Sequence, residues 1–295
     1  MYFHDKRLQY PVTVTEPDPA FARALQQAIG GVEGEIRVCM QYFFQAWGNR
    51  APNSKYRDML LHTATEEIGH IEMLAHAVAL NLDKAPAHLQ EEGVKDKLVG
   101  AVMGGESPRT KIEGMIHKNL LSSGMAAMPI DSDGVPFNMS NIYASGNLAA
   151  DMTCNVAAEA TGRVLAVRLY NMAHDEGMKK MLSFLIARDT MHQNQWKAVL
   201  EEIGDDTGAF PIPNSFPQEM EDRDFSYQFV ATAADGSVPE GRWTQGPSID
   251  GKGEFQVFQH KAMGEVPDLG PAPPTSGAQT EQISTAKGLE PPTYA

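Results

Sequence analysis

Four segments of this chain carry apolar residues at three- and four-residue spacing, and each apolar stripe is broken near its middle by ionisable side chains. That spacing marks helices with one face turned to a core. A carboxylate or imidazole on such a face must be accommodated where water is scarce, which excludes an ordinary apolar bundle.

The segments run over about 18–48, 55–82, 146–173 and 176–202. In the first, Phe21, Leu25, Ala28, Val32, Glu35, Cys39 and Phe43 form the seam, while Glu33 falls about 200° from Glu35 and is expected in solvent. The second carries Leu60, Ala64, Glu67, His70, Ile71, Leu74 and Val78. Glu66, four residues before His70, is a further candidate, on a less consistently apolar row of Met59, Thr63, Met73 and Ala77. In the third, Leu148, Met152, Asn155 with Val156, Glu159, Gly162, Ala166 and Leu169 align, and small Ala158 and Gly162 leave room beside Glu159. In the fourth, Met178, Leu182, Leu185, Asp189, His192, Trp196 and Val199 align.

Asp18 is placed to cap the first segment, with Pro19 at the first helical position, and Ser54 to cap the second. About sixty residues separate the second and third segments, with one weaker helical stretch, PRTKIEGMIHKNLLSSGM. So long a connection suits parallel neighbours, whereas the short HDEG region between the third and fourth suits an antiparallel pair. The expected fold is an all-α core, a ferritin-like four-helix bundle with one long crossover. Of the 19 prolines, 11 lie after residue 205, so the chain divides into a bundle with an N-terminal arm at 1–204 and a Pro/Gly-rich C-terminal extension at 205–295. That extension is irregular, with short strands around FSYQFVATA and GEFQVFQ, and is expected to wrap the bundle or a neighbouring subunit.

A formal charge of −14 leaves no basic footprint for nucleic acid or an anionic membrane. The charged opening MYFHDKRLQYPV lacks the apolar run of a secretory signal, and no stretch approaches membrane-spanning length, so the expectation is a soluble, cytoplasmic protein. Cys39 and Cys154 sit within helical patterns and read as buried, reduced thiols.

Several buried carboxylates together need compensating positive charge. Glu35, Glu67, His70, Glu159 and His192 supply three carboxylates and two imidazoles, balanced by two divalent cations with one or two bound hydroxides or waters. Hard oxygen ligands with imidazole suit manganese or iron, and the absence of paired cysteines argues against structural zinc or an iron–sulfur cluster. Dinuclear carboxylate bundles take one Glu from each of two helices and a Glu-x-x-His from each of the others. Here the order is Glu35, Glu67-Ile68-Gly69-His70, Glu159 and Asp189-Thr190-Met191-His192, with the halves echoing at spacings of 32 and 30 residues. Glu113 with His117 and Glu72 with His76 have i,i+4 spacing and read as solvated helix pairs. Trp196, Phe43 and Phe44 read as core. Asp189 is one methylene too short to bridge two metals, which leaves a metal–metal edge open and a carboxylate just beyond it to accept a proton from a small oxygen-based substrate.

The segments FHDKRLQYPV, GGVEGEIRVCMQYFFQAW, TEEIGHIEML, NVAAEATGRVLAVRLYNM and LIARDTMHQNQW resemble the non-haem manganese catalases from the N-terminus to about residue 202. The resemblance implies two manganese ions, with Glu35 and His70 on one, Glu159 and His192 on the other, and Glu67 bridging. It implies disproportionation of hydrogen peroxide to dioxygen and water, the metal pair alternating between states two electrons apart, with Asp189 as the catalytic proton shuttle. It further implies a homohexamer and, in some members, calcium at a subunit contact, for which Asp58 is the candidate here. Some relatives carry a basic residue just before the third-helix ligand; this chain has Ala158, leaving Arg163 or Arg168 as substitutes. Two other readings share the bundle, a di-iron carboxylate oxidase or ferroxidase and a structural coat protein with a relic metal site.

Overall fold

Three glycines in the run GGVEG end one helix and start the next, so the first predicted segment is two helices rather than one. The computed structural model describes residues 6–50, 54–82, 126–204, 218–259 and 264–268. Helix α1 spans Pro19–Gly30 and α2 spans Glu35–Gly48. Gly31 caps α1 in extended conformation, and Gly34 precedes α2 in the same way. A Cβ on Gly30 would stand 2.5 Å from the backbone of Ile130, so only glycine lets that strand of chain pass. The break overturns two expectations. Val32 turns outward, 49% exposed, instead of joining the seam, and Glu33 is half-buried instead of solvated.

The other three segments keep their expected limits within two residues, as α3 (Ser54–Leu82), α4 (Leu148–Met172) and α5 (Glu176–Ile203). Asp18 caps α1, its Oδ1 accepting from the Phe21 N–H at 3.0 Å with Pro19 at the first position. Asn147 and Asp175 cap α4 and α5 in the same manner. The weak helical stretch, and the pair Glu113 with His117, lie outside the described residues. Helix α1 packs on α3, α2 on α3, and α4 on α5. The N-terminal arm lays Leu8, Tyr10, Val12 and Val14 against this core at every second residue, and Tyr10 stacks on Phe184 with ring centroids 4.7 Å apart.

The apolar core is in two layers. One gathers Leu25 and Ile29 of α1, Met73 and Leu74 of α3, Leu169 of α4 and Leu182 and Leu185 of α5. The other gathers Cys39 and Tyr42 of α2, Leu60 and Ala64 of α3, Met152 and Ala158 of α4, and Trp196 of α5. On α3, α4 and α5 the chain passes from one layer to the other through the ionisable residues, which therefore form a polar stratum with apolar packing on both sides. Phe44, expected in the core, is 45% exposed because it lies about 100° round α2 from buried Phe43. Cys39 is buried, but Cys154 is only half-buried, on the flank of α4; both thiols are free.

The described residues divide into two compact units, Met1–Arg223 with Ser248–Gly253, and Asp224–Pro247 with Glu254–Ala295. In the second unit a short helix α6 (Arg223–Ser226), counted from its first residue in the bundle unit, leads into a three-stranded sheet. Strands β1 (Gln228–Ala231) and β3 (Glu254–Gln259) fall within the two segments expected to be strands, and they pair in parallel, Phe229 opposite Val257. Strand β2 (Gly246–Pro247) adds antiparallel to β3 and carries no apolar signal of its own.

Candidate metal centre

The break at GGVEG makes Glu35 the first residue of α2, where the positive end of the helix dipole favours a carboxylate. Glu67 and His70 are one turn apart on α3, Glu159 stands mid-way along α4, and Asp189 and His192 are one turn apart on α5. All but Glu35 are buried. The five expected ligands meet in two groups that share one member: Glu35, Glu67 and His70, and Glu67, Glu159 and His192, each offering atoms within 4.8 Å of one another.

The geometry is specific to the atom. His70 Nδ1 stands 2.7 Å from one Glu67 oxygen and 3.8 Å from Glu35 Oε2. His192 Nδ1 stands 3.0 Å from the other Glu67 oxygen and 3.4 Å from Glu159 Oε1. Glu67 thus turns one oxygen to each half. Despite these distances, both Glu67 oxygens and all four ring nitrogens lack a hydrogen-bond partner in proper alignment. Buried polar atoms are otherwise almost always paired. Atoms that converge without donating to one another are the arrangement of ligands around cations, and two oxygens and one nitrogen per half match the hard-plus-imidazole donor set of manganese or iron.

The same groups strongly shift one another's protonation. Burial, reinforced by the charge of Glu67, pushes Glu35 up to about 7. Burial, with Glu35, Glu159 and Glu67 behind it, pushes Asp189 up to about 9. Glu159 is also raised, chiefly by burial. Burial works to neutralise the imidazoles, yet Glu159, Glu66 and Glu67 outweigh it and hold His192 up to about 12. His70 is raised likewise, mainly by Glu67. Burial also works to raise Glu67, but the charge of His70 heads the opposing interactions that leave it below the usual carboxylate range.

A cavity of about 20 Å³, enough for a water-sized molecule, lies beside Glu35, Glu159 and Asp189. Ala158 and Gly162 line it, as their small size predicted, and Glu33 joins them. Asp189 is therefore in the cavity wall, in neither ligand group. Arg163 bonds Thr190 Oγ1 on the surface at 3.1 Å, and neither it nor Arg168 lines the cavity. Glu72 and His76 make no ion pair; His76 Nδ1 lies 2.8 Å from the Glu72 carbonyl. Asp58 is 57% exposed beside Arg57 and belongs to neither group.

One feature escaped sequence reasoning, and Glu66, a further candidate there, takes a place the sequence did not indicate. Tyr42, fully buried on α2 with its ring 4.9 Å from Trp196, donates its hydroxyl to Glu159 Oε1. Its position three residues past Cys39 on the seam was the available signal. Glu66 sits behind both histidines, where Thr63, Met73 and Ala77 of its row are in fact buried.

The family model described as manganese containing catalase matches residues 1–292. The chain belongs to that family. The manganese catalase of Bacillus subtilis (strain 168) is 43% identical over 274 residues, covering 93% of this chain and 96% of the relative. That of Lactiplantibacillus plantarum is 34% identical over 278 residues, covering 93% and 97%. The solved structure of KatB, a manganese catalase from Anabaena, superposes with a TM-score of 0.66 at 24% identity, covering 88% of this chain and all of that one. The likeness to KatB shows the fold. For a manganese catalase, the carboxylate–histidine groups between the two apolar layers are the part of the bundle that fits a pair of metals.

Proposed function

We propose that this chain disproportionates hydrogen peroxide, two peroxides yielding one dioxygen and two waters, at two manganese ions held by Glu35, Glu67, His70, Glu159 and His192. The observation that carries the reading is the sharing of Glu67 between two otherwise separate ligand groups, one oxygen directed at each. When bound, manganese supplies Lewis acidity and the two-electron redox change.

The chain's own residues do the rest. Glu35 and His70 would hold one ion and Glu159 and His192 the other, with Glu67, which belongs to both groups, shared between them. The hydroxyl of Tyr42 fixes the orientation of Glu159. The small cavity excludes bulkier molecules and delivers a peroxide-sized one to the carboxylates. Asp189, in the cavity wall, is placed to exchange a proton with the entering substrate and the departing water, its carboxyl ionised once bound cations offset the carboxylates around it.

We place the activity in the cytoplasm, where the free thiols of Cys39 and Cys154 stay reduced. Among the described residues no helix is long and apolar enough to cross a membrane. Assembly as a homohexamer follows from the resemblance and is read by sedimentation. Calcium at Asp58 gains no support from its exposed position beside Arg57. Metal analysis of purified protein, with oxygen release from peroxide before and after manganese depletion, tests the proposal. About two manganese per chain and oxygen release that falls and recovers with the metal are expected. Iron without oxygen release would establish the oxidase reading, and neither metal nor activity the coat-protein one. Glu67→Ala should lose both metals and the activity.

A further inference from the structure

The carboxylate of Glu66 stands on the far side of both histidines from the ligand groups, with one oxygen for each ring. Its Oε1 is 3.5 Å from His70 Nε2 and its Oε2 is 3.3 Å from His192 Nε2. The two rings are nearly parallel, 26° apart with centroids separated by 6.0 Å, as a single carboxylate facing both requires. Glu66 is itself gripped in a fork by Arg188, whose Nε donates to Oε1 at 2.6 Å and Nη2 to Oε2 at 3.2 Å. Such a two-pronged contact fixes the plane of the carboxylate as well as its position. Glu66 belongs to α3 and Arg188 to α5, the two helices that carry the histidines.

On the dimanganese reading of the site, we propose that Arg188 and Glu66 form one positioning clamp serving both metals. The clamp sets a carboxylate oxygen 3.5 Å from His70 Nε2 and 3.3 Å from His192 Nε2, short of hydrogen-bond alignment in both cases. Its negative charge favours the proton at Nε2, which keeps each Nδ1 lone pair directed at the ligand groups, where the Nδ1 atoms already point. A carboxylate behind a ligating histidine holds its tautomer and ring orientation. Here one carboxylate does this for two histidines, so the two metal positions share a support beyond the Glu67 bridge. The basic residue near the site is thereby located: it is Arg188, next to Asp189 in sequence, and its charge is spent on Glu66 behind the histidines.

The test titrates metal-free wild type, Glu66→Gln, Arg188→Gln and Arg188→Lys with manganese(II) by equilibrium dialysis, resolving two binding constants. Glu66→Gln should weaken both constants together, by about 10–100-fold. Arg188→Gln should weaken both by a smaller factor, and Arg188→Lys should recover part of that loss. Weakening of one constant only, or no weakening in Glu66→Gln while wild type binds two ions, overturns the clamp and leaves the dinuclear reading standing. Wild type that binds fewer than two overturns both. If Glu66→Gln does not fold, Arg188→Gln carries the test, because Arg188 is 33% exposed and its loss opens no core cavity. Thermal unfolding of metal-free Arg188→Gln separates the clamp from a merely structural bridge: an unchanged midpoint with weakened constants is expected, and a lowered midpoint with unchanged constants overturns it.

Discussion

Asp189 illustrates how one methylene changes the duty of a position. The short aspartate stands in the cavity wall and in neither ligand group, and burial among Glu35, Glu159 and Glu67 pushes it up to about 9. Asp189→Asn preserves its shape while removing its ability to exchange a proton. Oxygen release per bound manganese should fall by about 10²–10⁴-fold, with manganese content by metal analysis unchanged. The five ligand candidates could be found in sequence because each interrupts a stripe that is otherwise apolar, an anomaly visible one helix at a time. Tyr42 could not: an aromatic residue on a seam looks like packing until the partner helix shows that its hydroxyl meets Glu159. Glu66 was legible only as a residue four before His70, since its significance depends on Arg188 and His192 arriving from a helix more than a hundred residues later.

At the scale of elements, α4 and α5 were readable to within two residues, because their stripes run without a glycine-rich break. The break between α1 and α2 was not, because the stripe runs through GGVEG in correct helical phase while Gly30 responds to a distant contact, the passage of Ile130, and Gly31 and Gly34 lie close against residues 27–29 of α1. Gly162 of α4 has a different role. A Cβ there would meet only the Glu33 carbonyl, at 3.5 Å, which is ordinary contact, so alanine fits but a larger side chain enters the cavity. Gly162→Leu should retain manganese and lower kcat/KM for peroxide by about tenfold or more, which is ~1.4 kcal/mol of barrier. Asp175 joins two elements. Its Oδ1 caps α5 at Met178, and its Oδ2 accepts from the Thr15 N–H at 2.8 Å, tying down the N-terminal arm. Slight burial acts to raise this carboxyl, but the N–H groups of Thr15 and Met178 outweigh it and hold it below the ordinary range. A depressed carboxylate stabilises fully above its unfolded pKa and loses that contribution as pH falls through the folded value. Asp175→Ala should therefore cost about 0.5–2 kcal/mol near neutrality, with the gap to wild type closing below about pH 4, as followed by urea unfolding across pH.

For the whole molecule, the polar stratum makes metal loading, protonation and folding one linked equilibrium. Without metal, Glu35, Asp189, His70 and His192 are all raised, so the cluster carries extra protons near neutrality. Manganese held by Glu35, His70 and His192 would displace theirs. Uptake should release protons, and affinity should rise with pH through the range around 7; titration calorimetry in buffers of differing ionisation heat measures the released number, and a pH-independent affinity would contradict the linkage. At free metal one hundred times Kd, each ion adds about 2.7 kcal/mol to stability, so chelation should lower the melting temperature. Net charge, by contrast, said little at this scale: the −14 argued against polyanionic partners, while the proposed site depends on where a few carboxylates sit.

The stratum has a consequence for how the protein is made. Glu35, Glu67 and His70 are all synthesised within the first quarter of the chain, whereas Glu159 and His192 follow only after the long connection. A growing chain can thus assemble one ligand group while the second oxygen of Glu67 still waits for a counterpart. On the proposed ligand set, the second group is complete only once α5 has been made and has closed on the other helices. Loading of both positions is then expected to follow synthesis of α5, in the order in which the ligands are translated.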